Sequence, residues 1–228
     1  MPTLPKKKVG LISCSGEEFP EGTLARMATL RVLENLRRNE TVTLCLPLFL
    51  AGNDKERAFA RFYPTIAIDG CDKRCAARAT EKYSATPTAS IVIPEFLAAK
   101  NLKPPRSRRR LDTDGEIAAD ALAQEISARV DDILGKRQEA DGRDTTAQES
   151  ESIVASCSCG SGVPVIRLNI TGKSVELVAL PLLFQQWRAE NKAVEELFDA
   201  VKIYNAIPAA QEDEYRAAIL NAYADYTS

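Results

Sequence analysis

The chain has no histidine. Ser-His-Asp and Cys-His machinery is therefore excluded, together with the imidazole ligands common in metal sites. Strong charge of either sign is missing too: 30 Lys and Arg against 32 Asp and Glu leave a net charge of −2. Such a balance gives no general attraction to nucleic acid or to an anionic membrane. Long apolar runs are also absent. TLCLPLFLA (43–51) and LVALPLLF (177–184) are too short to span a bilayer, and both carry proline. MPTLPKKK (1–8) is basic, but the VGLIS that follows is far shorter than a signal-peptide core and runs on into Glu17 and Glu18. These absences lead us to expect a cytoplasmic protein with no membrane segment.

Several catalytic motifs fail on single residues. No G-x-G-x-x-G follows the first strand pattern, so a dinucleotide fingerprint is missing. TGKS (171–174) looks like the end of a P-loop, but Arg167 stands where that loop needs its earlier glycine. Cys14 closes a strand pattern, as does the nucleophile of low-molecular-weight phosphatases and arsenate reductases. Their C-x₅-R loop requires an arginine, whereas CSGEEFPEG brings Glu18, Phe19 and Pro20 to that place. Glu17 and Glu18 would also repel an oxyanion.

What the chain does have is six cysteines in 228 residues: Cys14, Cys45, Cys71, Cys75, Cys157 and Cys159. In a chain of this length without a signal segment, clustered thiols point to metal binding or redox chemistry rather than to a disulfide framework. With 45% hydrophobic residues it can bury one large core or two small ones.

The first hundred residues alternate strand and helix patterns. Strands are expected at 7–15, 41–50, 65–69 and 87–96, and helices at 21–39, 54–63 and 72–83. Asn53 or Asp54 is the expected cap of the second helix. Near-continuous apolar strands in this rhythm predict a doubly wound parallel sheet of the Rossmann/flavodoxin-like kind. Residues 103–115 read as a polar loop, and 115–136 as a long amphipathic helix that closes a first domain over 1–136. Residues 137–156 lack large apolar side chains until Ile153 and read as a linker. A second, smaller α+β domain is expected over 157–228, with a hairpin around Thr171-Gly172-Lys173 followed by three helices. Its size favours docking on the first domain or on a second copy.

Ligands of open α/β sheets gather beyond the carboxyl ends of the strands. Cys14 ends the first strand, and Cys71 lies two residues past the third. Cys45 is placed on the second strand, ahead of Pro47. With strand order 2-1-3 these three thiols share one edge, and Cys75 joins them if it lies a helical turn beyond Cys71 on the same face. Gly70 suits a close strand-to-helix turn, and a helix N-terminus there would favour thiolate at Cys71. Four thiolates around one point make a closed zinc site. Cys45 can equally be read as a core thiol, since its neighbours are apolar. Asp69 is read as a helix cap in preference to an oxygen ligand.

CSG at 14–16, CLPLFLAG at 45–52 and IDGCDKRCA at 68–76 resemble the Asp-Gly-Cys (DGC) domain family over about residues 7–100. The resemblance implies zinc binding, with Cys14, Cys45, Cys71 and Cys75 matching the family's cysteines. It implies no particular reaction.

The leading expectation is thus a zinc-binding protein whose metal braces the sheet edge or senses metal or redox state. The alternative is a thiol-redox or iron–sulfur protein using the same cysteines. A third reading is an interaction module in which the C-terminal helices bind a protein partner or form a homodimer. Cys157 and Cys159 form a second thiol pair, read either as a soft-metal or disulfide site or as incidental. Arg106, Arg108, Arg109 and Arg110 lack interleaved aromatics and read as a solvated loop, so nucleic acid is not an expected partner. Trp187, Tyr204, Tyr215, Tyr223 and Tyr226 are expected to pack a core.

Overall fold

The structure is a computed structural model describing residues 8–14, 16, 18–136 and 164–227. Strands β1 (Val9–Ser13), β2 (Thr41–Thr43), β3 (Thr65–Asp69) and β4 (Ala89–Val92) form one parallel sheet in the order β2-β1-β3-β4. The expected α/β class and the 2-1-3 order both hold. All five residues of β3, which is paired on both sides, are buried.

Alternate residues of the strands serve two different cores. Val9, Leu11, Ile66, Ile68 and Ile91 pack with helices α1 (Pro20–Arg31), α6 (Ile93–Lys100) and α7 (Thr113–Leu134) on one face. Ile12 and Ala67 belong to the other face, with Phe59 of α4 (Phe59–Phe62) and Ala76 and Ala77 of α5 (Cys75–Tyr83). Small sheet residues make room there. A Cβ on Gly10 would lie 2.4 Å from the Phe59 ring, so that ring fills the space a side chain would take.

Proline accounts for most of the shifted boundaries. The strand expected over 41–50 stops at Thr43, and helix α2 (Leu46–Ala51) follows with Pro47 in its first turn. The strand expected over 87–96 is only β4, because Pro94 lies in the first turn of α6. Proline cannot donate to a strand ladder, yet its fixed φ suits a first helical turn. The helix expected over 54–63 is split into α3 (Asp54–Arg57) and α4, and α1 passes at Val32–Leu36 into a π-helical turn. Asn53, not Asp54, caps α3: its side chain accepts from the Glu56 N–H at 3.2 Å. The long helix α7 is capped by Asp112, which accepts from the Gly115 N–H at 3.0 Å.

The C-terminal elements form an antiparallel hairpin of β5 (Val165–Ile170) and β6 (Lys173–Val178), then helices α8 (Leu180–Glu190), α9 (Leu197–Tyr204) and α10 (Glu212–Thr227). Thr171 and Gly172 both have positive φ, 51° and 78°. That is the type I′ pattern that matches hairpin twist. Trp187, Tyr204, Tyr215 and Tyr223 are buried, and Tyr226 is exposed. These elements share one apolar cluster with Ile12, Phe59, Tyr63 and Ala67, so they cover the second face of the parallel sheet. The expected linker at 137–156 and the pair Cys157 and Cys159 lie outside the described residues. Among the described residues, no helix is long and apolar enough to cross a membrane.

Buried Asn205 locks the hairpin to α9. Its Oδ1 accepts from the Val178 N–H at 2.7 Å, and its Nδ2 donates to the carbonyls of Val178 and Val201. Asn205→Ala leaves buried backbone groups unpaired, so we expect a loss of about 2 kcal/mol in denaturant unfolding. An unchanged midpoint would show that the hairpin is held by apolar contact alone.

Candidate functional site

Parallel pairing brings the carboxyl ends of all four strands to one edge. Cys14 follows β1 directly, and its N–H donates to the Ile68 carbonyl at 2.8 Å. Cys45 lies two residues past β2, and Cys71 two residues past β3. Three cysteines therefore leave three adjacent strands, and Cys75 is the first residue of α5. All four are free thiols; Cys14, Cys45 and Cys71 are half-buried, and Cys75 is exposed.

Two expectations about these thiols need correction. Cys45 is not on a strand but at the N-cap of α2, with its carbonyl accepting from the Phe49 N–H at 2.9 Å. Cys71 is not helical, so it does not share a helix face with Cys75. The chain first makes a turn in which the Cys71 carbonyl accepts from the Arg74 N–H at 3.2 Å, and Arg74 takes a positive φ of 52°. The first free N–H groups of α5 are also taken, by Asp69: Ala76 donates to Oδ1 at 2.7 Å and Ala77 to Oδ2 at 3.2 Å. Asp69 is thus the cap that its position suggested, acting from seven residues upstream. Its carboxylate, not the Cys71 thiol, meets the positive end of the helix. Burial pushes the Asp69 carboxyl above its ordinary pKa, while the two N–H donors and the nearby Arg74 and Arg78 oppose that rise. Among the described residues, no three Cys, Asp or Glu side chains stand together as a group that could hold a metal ion. The fold gathers the four cysteines at one edge without gathering their side chains around one point.

Close backbone packing shapes this edge. A Cβ on Gly22, in the first turn of α1, would lie 2.1 Å from the Gly16 carbonyl oxygen. A Cβ on Gly70 would lie 2.9 Å from Gly22 N, and one on Gly16 would lie 2.9 Å from Cys14 Sγ. The Gly16 N–H points at that sulfur, 3.3 Å away. The start of α1 thus rests on the turns that follow β1 and β3, and the glycines are needed there for space.

A buried carboxylate that the motif reading missed sits beside Cys45. Glu56 is fully buried, and its Oε2 accepts from the Cys45 N–H at 2.9 Å. The signal was available: Asn53 and Glu56 have capping-box spacing. The Glu56 side chain turns to Cys45 instead of back to its own helix. The arginine loop is held by its backbone, since the Thr23 hydroxyl donates to the Arg108 carbonyl, and the guanidinium groups of Arg106, Arg109 and Arg110 are exposed. Arg108 reaches Glu18 at 3.7 Å. A surface depression of ≈ 410 Å³ between the π-helical turn and α7 lies at the opposite edge of the sheet. Its Arg37 pairs with Asp131 and its Lys136 with Glu40, so its main charges compensate one another.

The DGC domain family matches residues 10–130. The chain belongs to that family. The match runs beyond residue 100, where the motif resemblance ends, and takes in the arginine loop and most of α7. No curated protein and no solved structure matches the chain. The tripeptide that gives the DGC domain its name falls on Asp69, Gly70 and Cys71. In this structure those residues are a helix cap, a close-packing glycine and a half-buried thiol.

Two substitutions check this geometry. Asp69→Ala leaves the Ala76 and Ala77 N–H groups without their acceptor and should cost about 2 kcal/mol in thermal or denaturant unfolding, with Asp69→Asn costing less. Equal losses would mean that the charge, and not the bond, matters. Gly22→Ala should gain slightly in helix propensity yet lose about 1–3 kcal/mol overall, because the new methyl meets backbone. It should also speed alkylation of Cys14; a variant as stable as its parent, with the same Cys14 rate, would contradict the close contact.

Proposed function

We propose that the DGC domain of this chain binds an exchangeable zinc ion through Cys14, Cys45, Cys71 and Cys75. The observation that carries this reading is the arrival of four free thiols at the ends of three neighbouring parallel strands and at the helix that follows. The donor chemistry fits the ion. Thiolates alone can complete a tetrahedral zinc shell, and a chain without histidine has no imidazole to offer. Bound zinc would hold its ligands as thiolates and draw the three strand ends together.

The protein's own residues suit exchange better than permanent bracing. No three of the side chains already stand together as a metal-holding group, so binding requires the thiol side chains to turn toward one point. Cys75 is exposed, which leaves one ligand open to oxidants and competing thiols. A metal- or redox-sensing role follows from that openness. With it we propose a flavodoxin-like winding of the sheet, a C-terminal unit (157–228) docked on an α/β unit (1–136), a cytoplasmic setting, and a partner or second copy meeting helices α8–α10.

Protein purified without oxygen or added metal should carry about one zinc per chain, with no visible absorption. Dilute peroxide should release it, and a Cys71→Ser, Cys75→Ser protein should not retain it. Iron with charge-transfer bands would replace the zinc reading with a cluster. Metal-free protein with all six thiols titratable would reject the site.

A further inference from the structure

The carboxylate beside Cys45 has no role in the zinc reading as it stands. Glu56 is fully buried on α3, a helix of four residues, and its Oε2 takes the Cys45 N–H at 2.9 Å. Burying a carboxylate is costly, and a neutral side chain would serve as well if one acceptor were all that was needed. The ordinary partner of this N–H would be a strand ladder, but β2 stops at Thr43. Cys45 therefore leaves the sheet with its main chain held at two points. Its carbonyl is held by the Phe49 N–H and its N–H by Glu56. Asn53 in turn fixes Glu56 by accepting its N–H at 3.2 Å.

We propose that Glu56 is a positioning residue for Cys45, fixing the backbone from which this thiol approaches the metal. The inference deepens the zinc reading and rests on it for the word metal, but the link from Glu56 to Cys45 does not depend on any ion. Of the four cysteines, Cys45 alone has its N–H held by a side chain in this structure. The Cys14 N–H, by contrast, is held by the sheet, donating to the Ile68 carbonyl. Groups that orient a ligand in this way typically affect metal affinity by about 10–100-fold when removed.

The test compares the parent protein with Glu56→Ala and Glu56→Gln, each first shown to be folded by its melting curve. Metal-free protein is alkylated and the modified cysteines are mapped by mass spectrometry; cobalt affinity is then read from its thiolate charge-transfer band. In Glu56→Ala, Cys45 should lose protection while Cys14, Cys71 and Cys75 keep theirs, and cobalt affinity should fall by about 10–100-fold. Glu56→Gln retains an acceptor without the charge, so both effects should be present and smaller. If the alanine variant does not fold, the near-isosteric glutamine variant decides by the same Cys45-specific response. Unchanged Cys45 reactivity, or equal deprotection of all four thiols, overturns the inference. A parent that binds no cobalt, yet shows the Cys45-specific loss on substitution, rejects the zinc reading and leaves Glu56 as the anchor of this thiol.

Discussion

The first turn of α1 lies so close to the turns after β1 and β3 that Gly22, Gly16 and Gly70 have no room for a side chain. Gly22 meets the Gly16 backbone on one side and sits against Gly70 on the other. Steric exclusion at this junction governs the whole carboxyl edge. It fixes the turn after β1, which carries Cys14, and the turn after β3, which leads to Cys71. It also brings backbone of α1 close to the point between β1 and β3 where open α/β sheets receive ligands. Chemistry at this edge is consequently left to groups on the rim, and those groups are the thiols.

Two buried carboxylates complete the arrangement, and both are spent on main-chain N–H groups. Asp69 holds the start of α5, whose first residue is Cys75, and Glu56 holds the backbone of Cys45. Each replaces a partner that regular structure would otherwise supply: a preceding helical carbonyl for Ala76 and Ala77, and a strand neighbour for Cys45. The result is an edge with constrained backbone and uncommitted sulfur. This differs from a preformed structural zinc site, in which the ligands already surround the ion. On the zinc reading proposed above, an edge of this kind would take up the metal by turning side chains on a fixed frame. That movement is small compared with folding, and reversing it needs no unfolding.

Much of this was legible in the sequence, and the exceptions have physical reasons. The parallel sheet and the hairpin follow from local patterns that tertiary packing reinforces, as in the apolar Ile66-Ala67-Ile68 of β3, whereas the 2-1-3 order was a condition that only the structure supplies. The placement of Cys45 was misread because TLCL continues an apolar strand pattern. Pro47 marks the true change, since it tolerates a first helical turn and no central strand position. The turn from Cys71 to Arg74 was hidden because a left-handed residue leaves no signal when it is an arginine instead of glycine or asparagine. Asp69 as a cap was legible in residue type but not in reach, because a cap seven residues upstream depends on the path of the intervening turn. Glu56 was missed because a glutamate at the third position of a short helix normally satisfies its own helix end.

The C-terminal half of the chain bears on the site through the core. The family match ends at residue 130, within α7, and the helices it includes fill mainly one face of the sheet. The cluster on the other face draws Leu183, Phe184, Trp187, Phe198 and Tyr223 from beyond that limit. Each of these aromatic or aliphatic side chains contributes about 1.5–3 kcal/mol when fully buried. Phe59 and Tyr63 are packed in this cluster, and they follow directly on the α3 helix that carries Glu56. Loosening the C-terminal cover would therefore reach Cys45 through α4 and α3. The backbone that holds this thiol is stabilised from both sides of the sheet, and on the second side residues 10–130 leave a core that the C-terminal hairpin and helices complete.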